Sequence, residues 1–193
     1  MSERVKISGV PFDPVTYEEA LSQIADLVSM NAKAYVVTPN PEMVLNASKD
    51  DGFKAVLKGA ALSIPDGIGI LWASYYLSLP LPKHFWGWWF QLFASLGAIF
   101  FVPQKIRRFF PQRVTGTDLL YKIVDFSQRY GWRIFFLGAR EGVAQKATAI
   151  LRACYPKANF AGCFAGSPQT ADEDEIRKLV NAASPDILFV AYG

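Results

Sequence analysis

Four short segments of this chain place polar side chains where a sugar or a nucleotide could be handled. "TPN" sets Thr38 and Asn40 on either side of a proline, and "PDG" sets one carboxylate, Asp66, between a proline and Gly67. "RVTGTD" carries Arg113, Gly116 and Asp118, and "FFLGA" ends on Gly138 and Ala139. A hydroxyl and an amide placed together can fix sugar hydroxyls or a phosphate, although Asn40 can equally cap a helix starting at Pro41. An arginine can hold a diphosphate bidentately, helped by the amides of a following helix. The plain alternative for that segment is a surface arginine with Asp118 or Thr117 as an N-cap. A strand–glycine–helix turn at Gly138 lets a nucleotide approach the backbone. A lone carboxylate such as Asp66, just past a strand end, can face a pocket.

These positions fall at the ends of apolar runs. "RVKI", "AYVV", "ALSI", "RIFFLG", "NFAGCF" and "DILFVAY" read as strands. "VTYEEALSQIADLVSM" reads as a helix, with Thr16 and Glu19 at capping-box spacing and Leu21, Ile24, Leu27 and Val28 on one face. "PEMVLNAS", "DGFKAVLKGA", "GIGILWASYYL", "TDLLYKIVDFSQRYG", "GVAQKATAILRACY" and "TADEDEIRKLVNAA" also read as helical. Strands without polar alternation, in rotation with helices, predict an α/β fold: a mostly parallel, doubly wound sheet with helices on both faces. Ligands bind beyond the carboxyl ends of strands in such sheets. The 193 residues suffice for a single domain over 1–193.

Composition narrows the chemistry. A net charge of +3 is too mild to argue for nucleic acid. Cys154 and Cys163 fit neither a disulfide framework nor a metal cluster, and the N-terminus shows no signal peptide, so a cytoplasmic setting is expected. One histidine, His84, argues against His-based triads and His metal sites. There is no P-loop, and "GIGILW" has Trp72 where a dinucleotide fingerprint needs its third glycine. Asp172 and Asp174 form D-x-D, but in the first turn of a helix they read as dipole-compensating acids rather than metal ligands.

Residues 83–112 interrupt the α/β pattern with an apolar, aromatic-rich and basic insertion. Its centre, Phe85–Val102, has no charge, and Lys83, Lys105, Arg107 and Arg108 flank it. It sits at the lower limit for crossing a ~30 Å hydrocarbon layer. A re-entrant or interfacial element, with tryptophans at headgroup level, is therefore expected over an extra buried helix.

Taken in order and spacing, "TPNPEMV", "IPDGIGIL", "RVTGTDLL", "IFFLGA" and "PDILFVAYG" closely resemble the WecG/TagA/CpsF family of bacterial glycosyltransferases. The resemblance implies a Rossmann-like fold and an inverting transfer that needs no metal or other cofactor. The sugar would be N-acetylmannosamine or its uronic acid, carried by a UDP donor. The acceptor would be a polyprenyl-diphosphate-linked saccharide at the cytoplasmic face of the membrane, contacted peripherally, in cell-envelope polysaccharide synthesis. By motif, Asp66 would be the catalytic base and Thr38 would lie close to the reacting sugar. Arg113 would hold the donor diphosphate, with Asn40, Gly67, Gly116, Asp118 and Gly138 completing the substrate site.

Two departures accompany the resemblance. Relatives continue past the "VAYG" strand into a proline–lysine–glutamine–glutamate motif and a membrane-associating appendage, whereas this sequence ends at Gly193, which implies an incomplete site. Relatives also have a short link where this chain has residues 83–112. The competing readings are a catalytically silent, membrane-associated nucleotide-sugar-binding module and a nicotinamide-dependent oxidoreductase. Self-association through sheet edges or apolar surface is left open.

Overall fold

Ser8 and Gly9 both carry positive φ, 49° and 83°, the geometry of a two-residue hairpin turn. They join β1 (Val5–Ile7) to an antiparallel β2 (Val10–Phe12), with Ile7 opposite Val10. The sequence pattern predicts only the first of these strands. The Ser–Gly pair is the signal for the second.

The computed structural model describes residues 3–169 and 172–192. These fold as two units, Met1–Leu27 with Ala32–Leu119, and Val28–Asn31 with Leu120–Gly193. The described residues form a mixed α/β structure whose parallel strands sit in sheets of two and three.

In the first unit, α1 (Tyr17–Ser29) starts at the expected cap. The Thr16 amide donates to Glu19 Oε2 at 2.7 Å, and the Glu19 amide donates to Thr16 Oγ1 at 3.2 Å. β3 (Val36–Val37) and β4 (Leu62–Ser63) run parallel, with α2 (Pro41–Ala47) and α3 (Asp51–Gly59) between them in sequence. Backbone bonds extend this pairing on both sides, from Ala61 N to Tyr35 O, Ile64 N to Val37 O and Asp66 N to Pro39 O. The other edge of β4 is held by Asp13, which is buried. Its Oδ2 accepts from Ser63 N (2.7 Å), its own amide donates to Ser63 O, and its Oδ1 pairs with Arg4 Nε at 2.8 Å. Arg4 also donates to the carbonyls of Ala60 and Ala61. Phe12, Leu57, Ile70, Leu71, Ile106 and Phe110 fill the core of this unit.

After β4 come α4 (Ile68–Leu77), α5 (Phe85–Phe101) and α6 (Pro103–Ile106), then a 3₁₀ turn, Arg107–Phe109. Val102 leaves helical geometry (φ −141°, ψ 60°) before Pro103, so the chain bends by 110° there, as a residue preceding proline is disposed to do. No single helix among the described residues is long and apolar enough to cross a membrane.

In the second unit the sheet order is β6 (Asn159–Phe164), β5 (Arg133–Gly138), β7 (Ile187–Ala191), all parallel. α7 (Gly116–Tyr130) contributes all but its first turn to this unit, beside α8 (Val143–Cys154) and α9 (Glu173–Ala183). β5 is buried from Ile134 to Leu137, as expected of a central parallel strand. β7, an edge strand, differs: Leu188 and Val190 are exposed while Ile187 and Phe189 are half-buried, so the face that carries Leu188 and Val190 is uncovered among the described residues. Cys154 is exposed at the end of α8, and Cys163 is half-buried on β6. Asp172 takes the N-cap position of α9 without a side-chain capping bond. The Thr170 before it lies outside the described residues.

Candidate active site

β3 and β4 end side by side because they are parallel and in register, and both following loops therefore emerge at one edge. "TPN" continues from β3 and "IPDG" from β4. The Asp66 amide donates to the Pro39 carbonyl (3.1 Å), so the two motifs are bonded directly. Asp66 is half-buried, and its carboxylate takes no hydrogen bond from the described residues. Gly67 follows with φ +87° and serves as the N-cap of α4. That backbone geometry favours glycine, and a Cβ there would meet nothing within 4 Å. The α4 N-terminus has no side-chain cap and no acid in its first turn, so its amides face the Asp66 loop without an internal acceptor.

The third motif joins them through Thr38. A Cβ on Gly116 would lie 3.1 Å from Thr38 Oγ1, so this glycine lets the start of α7 close on the "TPN" loop. Arg113, three residues upstream, is exposed, and no ion pair to it is formed among the described residues. Asn40 Oδ1 accepts from Met43 N at 2.8 Å and caps α2. Its capping role is thus realised, and its amide NH₂ remains available as a donor.

Asp118 takes part in the cap of α7 without being its N-cap residue. Thr115, not Asp118 or Thr117, caps α7. Asp118 N donates to Thr115 Oγ1 (3.2 Å), and that hydroxyl donates to Asp118 Oδ2 (2.7 Å). The Tyr17 hydroxyl donates to Asp118 Oδ2 (3.1 Å) and accepts from Thr115 N (3.0 Å). A carboxylate therefore already occupies the first turn of α7, which disfavours a second anion there. Tyr17 escapes sequence reading because it stands in a first helical turn beside charged residues. Its partner's signal, the Thr-x-x-Asp spacing at 115–118, is legible and matches that at 16–19.

Gly138 belongs to the second unit. It closes β5 with φ +102°, and a Cβ there would stand 2.6 Å from the Ala191 carbonyl oxygen. Strand pairing alone requires glycine at this position. Among the described residues no group of three or more His, Cys, Asp or Glu is disposed to hold a metal ion.

The model of the glycosyl transferase WecG/TagA/CpsF family matches residues 5–96 and 97–193. The chain belongs to this family. Within WecG/TagA/CpsF, it is similar to two curated enzymes named N-acetylglucosaminyldiphosphoundecaprenol N-acetyl-beta-D-mannosaminyltransferase. One, from Bacillus spizizenii, is 26% identical over 166 residues, 86% of this chain and 52% of the relative. The other, from Staphylococcus aureus, is 24% identical over 192 residues, 98% of this chain and 63% of the relative. The chain thus spans between half and two thirds of the length of these WecG/TagA/CpsF relatives.

Proposed function

We propose that the chain carries the donor-sugar chemistry of an inverting glycosyltransferase that uses a UDP-linked N-acetylmannosamine, or its uronate, and a polyprenyl-diphosphate-linked N-acetylglucosamine acceptor. The observation that carries this reading is the convergence of "TPN", "PDG" and the "RVTG" segment at the carboxyl edge of β3 and β4, the place where parallel sheets bind ligands in Rossmann-like folds. The relatives' names support the sugar and the lipid-linked acceptor.

In this reading an acceptor hydroxyl attacks the anomeric carbon on the face opposite UDP. The new carbon–oxygen bond forms as the bond to the diphosphate breaks, and the hydroxyl proton passes to Asp66. Thr38 positions the sugar. Arg113 and the uncapped amides of α4 receive the charge on the departing diphosphate, so that no metal is required. In this reading the enzyme meets its lipid-linked acceptor peripherally, at the cytoplasmic face of the membrane.

The test is a donor screen with lipid-linked acceptor, on the wild-type chain and on a form extended to the relatives' length, each with Asp66→Asn. The expected outcome is turnover lost by about 10²–10⁴-fold in the variant, with the UDP-induced rise in melting temperature retained. Full turnover in Asp66→Asn, or stabilisation by NAD but not by UDP, would reject the reading.

A further inference from the structure

α5 is built inside out for a helix packed on a protein. The most buried residues on the side turned toward the first unit are small or polar, Ser95 at 2% and Ala98 at 9% exposed; Gly87, Gln91, Leu92 and Ile99 beside them are half-buried, and Ile99 packs on the core. The large rings at the complementary spacing face outward, with Trp86 80%, Phe90 77% and Phe100 81% exposed, and Phe93 exposed between them. Helices at a water-facing surface show the reverse, an apolar stripe inward and polar residues outward. Ser95 Oγ accepts from Trp72 Nε1 at 3.2 Å, which fixes this orientation against α4. The outer rings also pack along the helix, Phe85 on Trp89 at 6.4 Å and Trp89 on Phe93 at 6.1 Å between centroids.

Charge is distributed to match. From Gly67 to Thr117 the sequence holds no Asp or Glu, and its charged residues are Lys83, Lys105, Arg107, Arg108 and Arg113. Lys83 stands just before α5, and Lys105, Arg107 and Arg108 follow the 110° bend, all exposed. Ile106 and Phe110, each 1% exposed, root that basic segment in the core. An outward apolar stripe bounded at both ends by cations, with three tryptophans at one end, complements a lipid surface that is apolar within and anionic at the headgroups. The 17 residues of α5 extend about 25 Å, short of a ~30 Å hydrocarbon crossing.

We infer that α5 lies in the plane of an anionic bilayer surface, its outer rings among the acyl chains, with Lys83 and the Lys105–Arg108 segment on the phosphates. This rests on the membrane-face reading above for its choice of partner, and it names the element that makes the contact.

The test is flotation of the 193-residue chain with vesicles of phosphatidylcholine alone and of phosphatidylcholine mixed with phosphatidylglycerol. Binding is expected to favour the anionic vesicles and to fall with salt. Phe90→Gln/Phe93→Gln/Phe100→Gln should weaken it at least about tenfold, and Lys105→Ser/Arg107→Ser/Arg108→Ser by about a hundredfold at low salt, since each near-surface cation contributes about fivefold. These side chains are exposed, so melting temperatures should stay unchanged. Tryptophan emission should shift to the blue on binding, and Trp86→Phe/Trp88→Phe/Trp89→Phe should abolish the shift. If wild type binds but the aromatic variant binds equally, the α5 assignment fails while the membrane-face reading stands. If wild type binds neither vesicle, both fail. A blue-shifted emission without lipid, together with a concentration-dependent dimer, would overturn the inference in favour of a second copy covering α5.

Discussion

Asp13 acts through position, joining three segments of the first unit. It meets Arg4 and the Ser63 amide while almost wholly buried, and so links β2 to the strand that delivers Asp66. Removing Asp13 leaves Arg4 without its counter-ion, holding only the Ala60 and Ala61 carbonyls, and the Ser63 amide without its acceptor. Asp13→Ala is expected to cost about 3 kcal/mol in urea unfolding, whereas Ser63→Ala, which deletes a buried hydroxyl without a hydrogen-bond partner among the described residues, should be neutral or mildly stabilising. At the surface, the Thr16 amide and then its hydroxyl hold the Glu19 carboxyl below the ordinary glutamate value. A carboxyl depressed in the folded state stabilises above its unfolded pKa and loses that contribution as pH falls through the folded one. In an NMR titration Glu19 should therefore titrate at lower pH than an ordinary glutamate. Thr16→Ala should return only part of the difference, because the backbone donor remains.

The elements that position the site were legible to differing degrees, for identifiable reasons. The strand end at Val37, the α2 cap at Asn40 and the Thr16–Glu19 box follow from local rules, and the structure realises each; the strand expected to run to Ile64 ends one residue earlier, at Ser63. The second hairpin strand lay hidden behind Pro11 in a three-residue run, too short for periodicity to register. The orientation of α5 was not legible at all. When nearly every position is apolar, the hydrophobic pattern has no phase, and only packing decides that Ser95 and Ala98 turn inward. Strand pairing is the other tertiary fact: Gly138 reads as a nucleotide-approach glycine, yet the Ala191 backbone already fills the space a side chain would need. Gly138→Ala should lower stability by about 2–4 kcal/mol through the β5–β7 contact, read as a fall in melting temperature. Thr115→Ala, which removes the α7 cap and the hydroxyl's bond to Asp118 Oδ2, should cost about 1 kcal/mol.

On the scale of the whole molecule, charge is segregated in a way that the total of +3 conceals. The acid-free stretch from Gly67 to Thr117 carries five of the cations and no counter-charge. The remaining sequence, which holds all the acids, is therefore net negative. Short-range fields govern binding to a charged surface at physiological salt, where screening acts over about 8 Å, so local density should outweigh net charge. The chain should accordingly be retained by a cation exchanger at pH 7 more strongly than +3 suggests. Arg107→Ser/Arg108→Ser should elute at clearly lower salt than wild type. Lys146→Ser/Lys157→Ser, which removes two exposed cations from the second unit, loses the same net charge and should elute close to wild type. Equal shifts in both variants would mean that total charge, not the basic segment beside α5, sets the interaction.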